Sequence, residues 1–174
     1  MEFDNQQIQA IINETFPGLS FFYRDTNLTD EQIAKYHVGQ ILKMPGFTDM
    51  SYKGGGLTTN FRYLIASAFG KNLSAFDPNA AKFGLIMLTS DAYFKVLDIY
   101  KIGGKTQMLL LNIPASAVDF FKNATTNIEE DVKNKARQRF DQLANAEGVP
   151  ELQTPEWLLR TSMPIGMNKE GELF

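Results

Sequence analysis

Three short segments of the chain carry polar residues whose types could do chemistry together. Arg24 ends an apolar run, where its planar guanidinium could bind a phosphate or a carboxylate. Thr58 and Thr59 stand before a predicted helix, where hydroxyls can bond a ribose, orient a catalytic carboxylate or cap the helix. Glu156 opens a predicted strand, and a carboxylate there could stabilise positive charge at the anomeric carbon of a sugar.

Each segment also has an ordinary structural interpretation. Arg24 could pair with a nearby acid such as Asp25 or Asp30, and the threonines could serve only as helix caps. Glu156 could be a solvated glutamate at the edge of a sheet. The single histidine, His37, follows a predicted helix and fits a surface position better than a ligand-binding one.

Composition narrows the class of protein. The 174 residues predict one domain, 1–174, and the net charge of −3 argues against broad binding to a nucleic-acid backbone. Without cysteine there is no disulfide or thiolate site, and one histidine leaves no multi-histidine metal site. No apolar run reaches the roughly 20 residues of a membrane helix. The acidic, polar start is not a signal peptide, so we expect a soluble, cytoplasmic protein or one delivered elsewhere.

The three segments must be positioned by a mixed set of helices and strands. Helix signals, including caps at Asp4, at Thr29 with Gln32, and at Asn60, cover 4–16, 29–36, 61–69, 115–123 and 126–147. Strand signals cover 19–24, 40–44, 83–89, 94–100, 107–114 and part of 156–167, with a hairpin loop at 101–105. This order lacks regular βα alternation and predicts an α+β fold with mostly antiparallel strands.

Three stretches resemble the mono-ADP-ribosyltransferase superfamily, in its Arg-Ser-Glu branch, which includes many bacterial toxins. They are FYRDTNLTDEQIAKYHVGQILKMPGF, GLTTNFRYLIASAFG and EWLLRTSMPI, which resemble the family's Tyr-Arg strand, Ser-Thr-Ser strand and late glutamate strand in that order. The resemblance implies a mostly antiparallel two-sheet core flanked by helices. It also implies NAD as the substrate and no metal.

The resemblance assigns roles residue by residue. It makes Glu156, Arg24 and Thr59 catalytic, with Glu156 bonding the ribose 2′-hydroxyl and stabilising the oxocarbenium-like transition state. Arg24 would bind the NAD phosphates and the ribose beside the nicotinamide. The implied NAD-binding residues are Tyr23, Arg24, Thr58, Thr59, Asn60 and Trp157, with Gly54–Gly56 as a mobile approach to the cleft.

Departures from the family pattern leave two other registers open. Leu57 stands where the first serine is usual, Asp25 follows the arginine, and Thr154 occupies the position of the second acid in arginine-modifying members. GFTDMS could instead be the serine motif, with Ser51 in place of Thr59. KTQMLLL could be the catalytic strand, with Gln107 in the acid's place, which would make the chain a degenerate member without activity.

Two functions therefore follow from the resemblance. The leading hypothesis is a transferase that moves ADP-ribose from NAD to a macromolecular acceptor, most simply a protein, as a bacterial toxin or effector does. The alternative is an inactive binding or toxin-neutralising module on a similar scaffold.

Overall fold

A computed structural model describes residues 2–174. The helices are α1 (Asn5–Thr15), α2 (Asp30–Ile33), α3 (Pro78–Phe83), α4 (Val118–Asn123), α5 (Asn127–Leu143) and α6 (Pro155–Arg160), with 3-10 turns at Ala115–Ala117 and Pro150–Gln153. The strands are β1 (Ser20–Thr26), β2 (Ile41–Met44), β3 (Thr48–Ser51), β4 (Phe61–Ser67), β5 (Lys71–Asn72), β6 (Leu85–Leu88), β7 (Ala92–Ile102) and β8 (Lys105–Ile113).

The strands form one hydrogen-bonded sheet in the order β2-β7-β8-β4-β1-β3-β6-β5. Every neighbouring pair is antiparallel except β4 with β8. The predicted α+β class with mostly antiparallel strands is therefore confirmed. The core consists of one continuous sheet, where the resemblance implied two.

The connection between β2 and β3 forces this sheet to curl. β2 is an edge strand and β3 lies five positions away, about 24 Å in a flat sheet. Only residues 45–47 join them, and four residue steps span at most about 14 Å. The two ends of the sheet must therefore approach each other, so that two halves of one sheet face across a common interior.

Two apolar cores follow from this curl. The inner core lies between the facing halves and includes Leu42, Met50, Tyr63, Phe94, Leu110 and Met167. The outer core lies between the sheet and the helices α1, α4 and α5, and includes Ile11, Leu64, Leu109, Phe121, Val132 and Phe140. Because both cores use β4, all seven of its residues are buried.

Two elements differ from the sequence prediction. Residues 61–69, predicted as a helix capped by Asn60, contain the central strand β4, so this prediction is wrong. Residues 155–160, predicted as a strand, form helix α6, with Thr154 as its cap and Pro155 in its first turn. Burial on both faces removes the alternating pattern that identifies a strand, which explains the first error.

Candidate functional site

Arg24 lies on β1 with its side chain directed towards the inner core. Nη1 donates to the main-chain oxygen of Asp49 at 3.0 Å, and Nη2 donates to that of Met163 at 2.7 Å. The residue is 2% exposed, and its buried Nε has no partner among residues 2–174. Burial lowers the pKa of the guanidinium from its ordinary value. The donors that could hold a phosphate are therefore directed to the protein's own main chain.

Two tyrosines beside Arg24 bind the segment that covers it. The hydroxyls of Tyr36 and Tyr63 lie 2.6 Å apart. Tyr36 donates to the carbonyl of Ile165 at 2.6 Å, and the Ile165 N–H donates to the Tyr63 oxygen at 3.1 Å. Burial raises the pKa of both tyrosines, that of Tyr63 to about 12. This network fixes residues 163–167 over the strand that carries Arg24.

Tyr23 and Asp25 lie on the opposite face of β1 from Arg24. Asp25 accepts two hydrogen bonds from Arg62 of β4, at 2.7 and 2.8 Å, and Arg62 stacks over the Tyr23 ring at 5.1 Å. The expected ion pair between Arg24 and Asp25 or Asp30 is therefore wrong. Successive side chains of a strand point to opposite faces, so adjacent Arg24 and Asp25 take different partners.

The threonine segment forms the approach to β4. Thr58 is exposed, whereas Thr59 is buried and donates from Oγ1 to the carbonyl of Phe61 at 3.0 Å. Asn60 does not cap a helix. Its side chain accepts from the Leu28 N–H at 2.9 Å and donates to the Leu28 carbonyl at 2.8 Å. Asn60 therefore holds the loop after β1, which is a structural role.

The three glycines are packed closely. A Cβ at Gly54 would meet the Tyr23 ring at 2.7 Å, and one at Gly55 would meet the carbonyl of Glu147 at 2.8 Å. At Gly56 it would lie 1.9 Å from the Ala146 carbonyl, and the Gly56 N–H already bonds the Glu147 oxygen at 2.9 Å. The segment therefore allows close contact between main chains, and its glycines do not form the mobile approach that we expected.

Glu156 and Trp157 lie on α6 instead of a strand. Glu156 is exposed in the first turn, while Trp157 is 1% exposed and packs against Phe83 with ring centroids 5.1 Å apart. The far end of α6 contacts β1, because Thr161 Oγ1 donates to the Asp25 carbonyl at 3.0 Å. Among residues 2–174, no hydrogen bond joins Arg24, Thr59 and Glu156 to one another.

The residues of the other two registers lie on strands. Ser51 ends β3, opposite Tyr23 on one side and Leu85 of β6 on the other, and its Oγ donates to the Phe83 carbonyl at 2.6 Å. Gln107 lies on β8 opposite Arg62 of β4. His37 is exposed after α2, and its N–H donates to the side chain of Gln40.

Sequence reasoning missed the residues that organise the surroundings of Arg24. Burial raises the pKa of Asp49, and the charges of Arg160 and Arg24 oppose this increase only in part. The Asp49 carboxylate pairs with Arg160 at 3.4 Å. Arg62 was overlooked because it lay within a predicted helix. Its place between Phe61 and the apolar residues 63–66 was the signal, since a charged residue buried there must have a partner.

Comparisons with solved structures found matches among proteins of the class that the sequence resembles. Exoenzyme S from Pseudomonas aeruginosa, in complex with human 14-3-3 protein beta and carba-NAD, matches at 14% identity over 76% of this chain and 70% of its own, with a TM-score of 0.48. The ADP-ribosyltransferase HopU1 of Pseudomonas syringae matches at 21% identity over 55% of this chain and 45% of its own, with a TM-score of 0.48.

The type III effector XopAI of Xanthomonas axonopodis matches at 12% identity over 59% of this chain and 46% of its own, with a TM-score of 0.48. The matched part thus spans less than half of the XopAI and HopU1 chains. No family model matches, and no curated protein matches. Within residues 2–174, no helix combines the length and apolar character needed to cross a membrane.

Proposed function

We propose that this chain is a catalytically inactive binding module on a scaffold that resembles the ADP-ribosyltransferases. The observation that carries the proposal is the engagement of Arg24 by the carbonyls of Asp49 and Met163 at 2% exposure. An arginine that binds a dinucleotide phosphate must offer its fork of donors to the ligand. Here NAD would first have to displace residues 163–167, which include fully buried members of the inner core.

The carboxylate that this chemistry requires is also poorly supplied. In the register that uses Ser51, the strand paired with Ser51 is β6. Its residues, Leu85–Leu88, are all apolar, so this strand carries no carboxylate. Gln107 is on a strand but is a neutral amide, which offers no negative charge to an oxocarbenium-like transition state. Glu156 is the remaining candidate among the implied catalytic residues, and no hydrogen bond among residues 2–174 links it to Arg24 or Thr59.

An exposed apolar pair supports binding to a protein partner. Phe47 is 62% exposed just before β3, and Leu159 is 77% exposed on α6. Phe47 precedes Asp49 by two residues and Leu159 precedes Arg160 by one, and an ion pair of Asp49 with Arg160 joins the two elements. Phenylalanine and arginine are enriched at protein interfaces, and Leu159 adds exposed apolar surface next to Arg160 in the chain. We assign the partner surface to Phe47, Leu159 and Arg160.

Transfer of ADP-ribose from NAD to a protein acceptor is the second candidate function, and the exposure of Glu156 favours it. A catalytic carboxylate must reach its substrate, and Glu156 is free of steric cover. Glu156 lies five residues before Thr161, which corresponds to about 7.5 Å of helical rise. Thr161 contacts β1 through its side-chain hydroxyl.

One assay separates the two candidates. Purified protein is incubated with NAD and a lysate, and released nicotinamide and ADP-ribosyl adducts are measured for the wild type and for Glu156→Gln. The inactive module predicts background turnover for both proteins and no saturable NAD binding by calorimetry. Turnover by the wild type that disappears in Glu156→Gln at an unchanged melting temperature would establish the transferase instead.

Binding is tested by affinity capture with matched surface variants. A partner retained by the wild type and by Phe76→Ser should be lost with the double variant Phe47→Ser, Leu159→Ser. Phe76 is a suitable control because it is 85% exposed on a separate loop. Equal capture by the wild type and both variants would show that the partner does not bind at Phe47 and Leu159.

A further inference from the structure

A cavity of about 230 Å³ lies on the outer face of the sheet, at the end of the β7–β8 hairpin. Its walls come from β4, β8, the hairpin turn, the end of α5 and the loop before β4, and they include Leu57, Arg62, Lys105, Gln107, Phe140 and Leu143. Arg24, Thr59 and Glu156 do not line it. This cavity is therefore separate from those three residues, although its wall includes Gln107, which the alternative register places at the acid's position. Its proposed ligand does not depend on the proposed function.

Arg62 gives the cavity a buried and only partly used cation. The residue is 2% exposed, with Nε and Nη2 committed to Asp25 and a further bond of 2.7 Å from Nη2 to the Gly55 carbonyl. Its Nη1 has no hydrogen-bond partner among residues 2–174. One edge of the guanidinium thus remains able to donate to a ligand in the cavity.

Gln107 is the second polar wall, and it lies opposite Arg62 across the parallel pair β4–β8. The residue is 6% exposed, yet its side-chain amide bonds no protein group among residues 2–174. The amide atoms of Gln107 are not among the fully buried unpartnered polar atoms of the described residues, so they remain accessible. Because Gln107 lines the cavity, its amide can hydrogen-bond a molecule there.

Lys105 completes the polar side. Its ammonium donates to the Leu57 carbonyl, which uses one of its three donors. Because Asp25 balances one of the two cations, Arg62 and Lys105 leave a net charge of about +1 on this wall. The opposite wall is apolar, with Phe140 and Leu143 at the carboxyl end of α5.

We propose that this cavity binds a small organic anion, a carboxylate or a phosphate monoester with an apolar body. The anionic oxygens would accept from Arg62 Nη1, the Lys105 ammonium and the Gln107 amide. The apolar body would lie against Phe140 and Leu143, since the carboxyl end of a helix disfavours negative charge. The volume is below the roughly 300 Å³ typical of pockets for drug-sized ligands, so a dinucleotide is excluded.

Titration calorimetry of the full chain with benzoate and with phenyl phosphate, at matched ionic strength, tests this site. We expect one of them to saturate with one site per chain, and the one that binds identifies the anionic group. Gln107→Leu and Lys105→Met should each raise Kd by about tenfold or more, since each removes a hydrogen bond to an anion.

Lys101→Met is the matched control. Lys101 is an exposed lysine on the same hairpin that does not line this cavity, so its loss should leave Kd unchanged. Lys105→Met provides a second test of the cavity that does not depend on the folding of Gln107→Leu. Thermal melting checks that both variants are folded. The proposal is overturned if neither anion saturates, if both cavity variants bind like the wild type, or if Lys101→Met weakens binding as much as Lys105→Met.

Discussion

The Arg24 guanidinium donates a 2.7 Å hydrogen bond to the main-chain oxygen of Met163, 139 positions along the chain. This bond joins β1 to the segment after α6 at the point where the sequence suggests a phosphate-binding arginine. The same segment contacts Tyr36 and Tyr63 through Ile165. The feature that most suggested a ligand site therefore has a structural use, and its energetic contribution can be measured.

Arg24→Ala should lower the free energy of unfolding by about 2–4 kcal/mol, because it leaves two carbonyls without their donor and opens a cavity. Urea denaturation measures the change. The control is Arg160→Ala, whose partly exposed ion pair with Asp49 should contribute about 1 kcal/mol or less. Equal stability of both variants would mean that Arg24 does not hold the covering segment.

Gly56→Ala should lower the free energy of unfolding by about 1–3 kcal/mol, the usual range for forcing extra volume into a packed site. The added Cβ would lie 1.9 Å from the Ala146 carbonyl, a main-chain atom that cannot rotate away. Gly46→Ala is the matched control, since its Cβ would have no neighbour within 4 Å. Similar melting temperatures for the two variants would contradict the close packing of the glycine segment.

Asp25→Asn should destabilise the protein by about 3–5 kcal/mol, because it leaves the buried Arg62 without its anionic partner. Asp91→Asn provides the comparison. Its pair with Lys43 spans 3.7 Å with side chains 67% and 43% exposed, so the change should stay within about 0.5 kcal/mol. Chemical denaturation of both variants is decisive, and a small effect at Asp25 would refute the structural importance of this pair.

The buried tyrosines predict a loss of stability at high pH. Burial raises the pKa of Tyr63 from 10.0 to about 12, so folding stabilises its neutral form. That contribution is complete below pH 10 and is lost as the pH rises through 12, because unfolded Tyr63 releases its proton first. Tyr63→Phe is less stable than the wild type at neutral pH, but its deficit should shrink across this range.

Denaturation at a series of pH values, with phenolate absorbance as a second signal, tests this prediction. Tyr52→Phe serves as the control, because Tyr52 is 48% exposed and outside the network. A deficit for Tyr63→Phe that grows with pH would show that the sign is wrong.

Local signals predicted the parts of the fold that depend on local interactions. The cap at Asp4 and the capping box of Thr29 with Gln32 both form as predicted, and the hairpin around Gly103 joins β7 to β8. Each depends on residues within a few positions of one another, which a sequence displays directly. Helices α3 and α6 carried the same kind of signal, a cap followed by proline at Pro78 and Pro155.

The site could not be predicted in the same way, because its partners are distant in sequence. Arg24 meets Asp49 and Met163, and Asp25 meets Arg62, only because β1 lies between β3 and β4. The strand character of β4 was hidden by burial on both faces, and this error removed Arg62 from view. A single chain gives the polar residue but does not identify the group that binds it.

The placement of Ile165 and Met167 in the inner core has a consequence for biosynthesis. Both are fully buried in a core that includes β2, β3 and β4, strands that begin more than a hundred residues earlier. A nascent chain cannot complete that core until Met167 has left the ribosome, so the curled sheet remains open during most of its own translation. Fragments that end before this point should expose apolar strand surface and depend on chaperones to avoid aggregation.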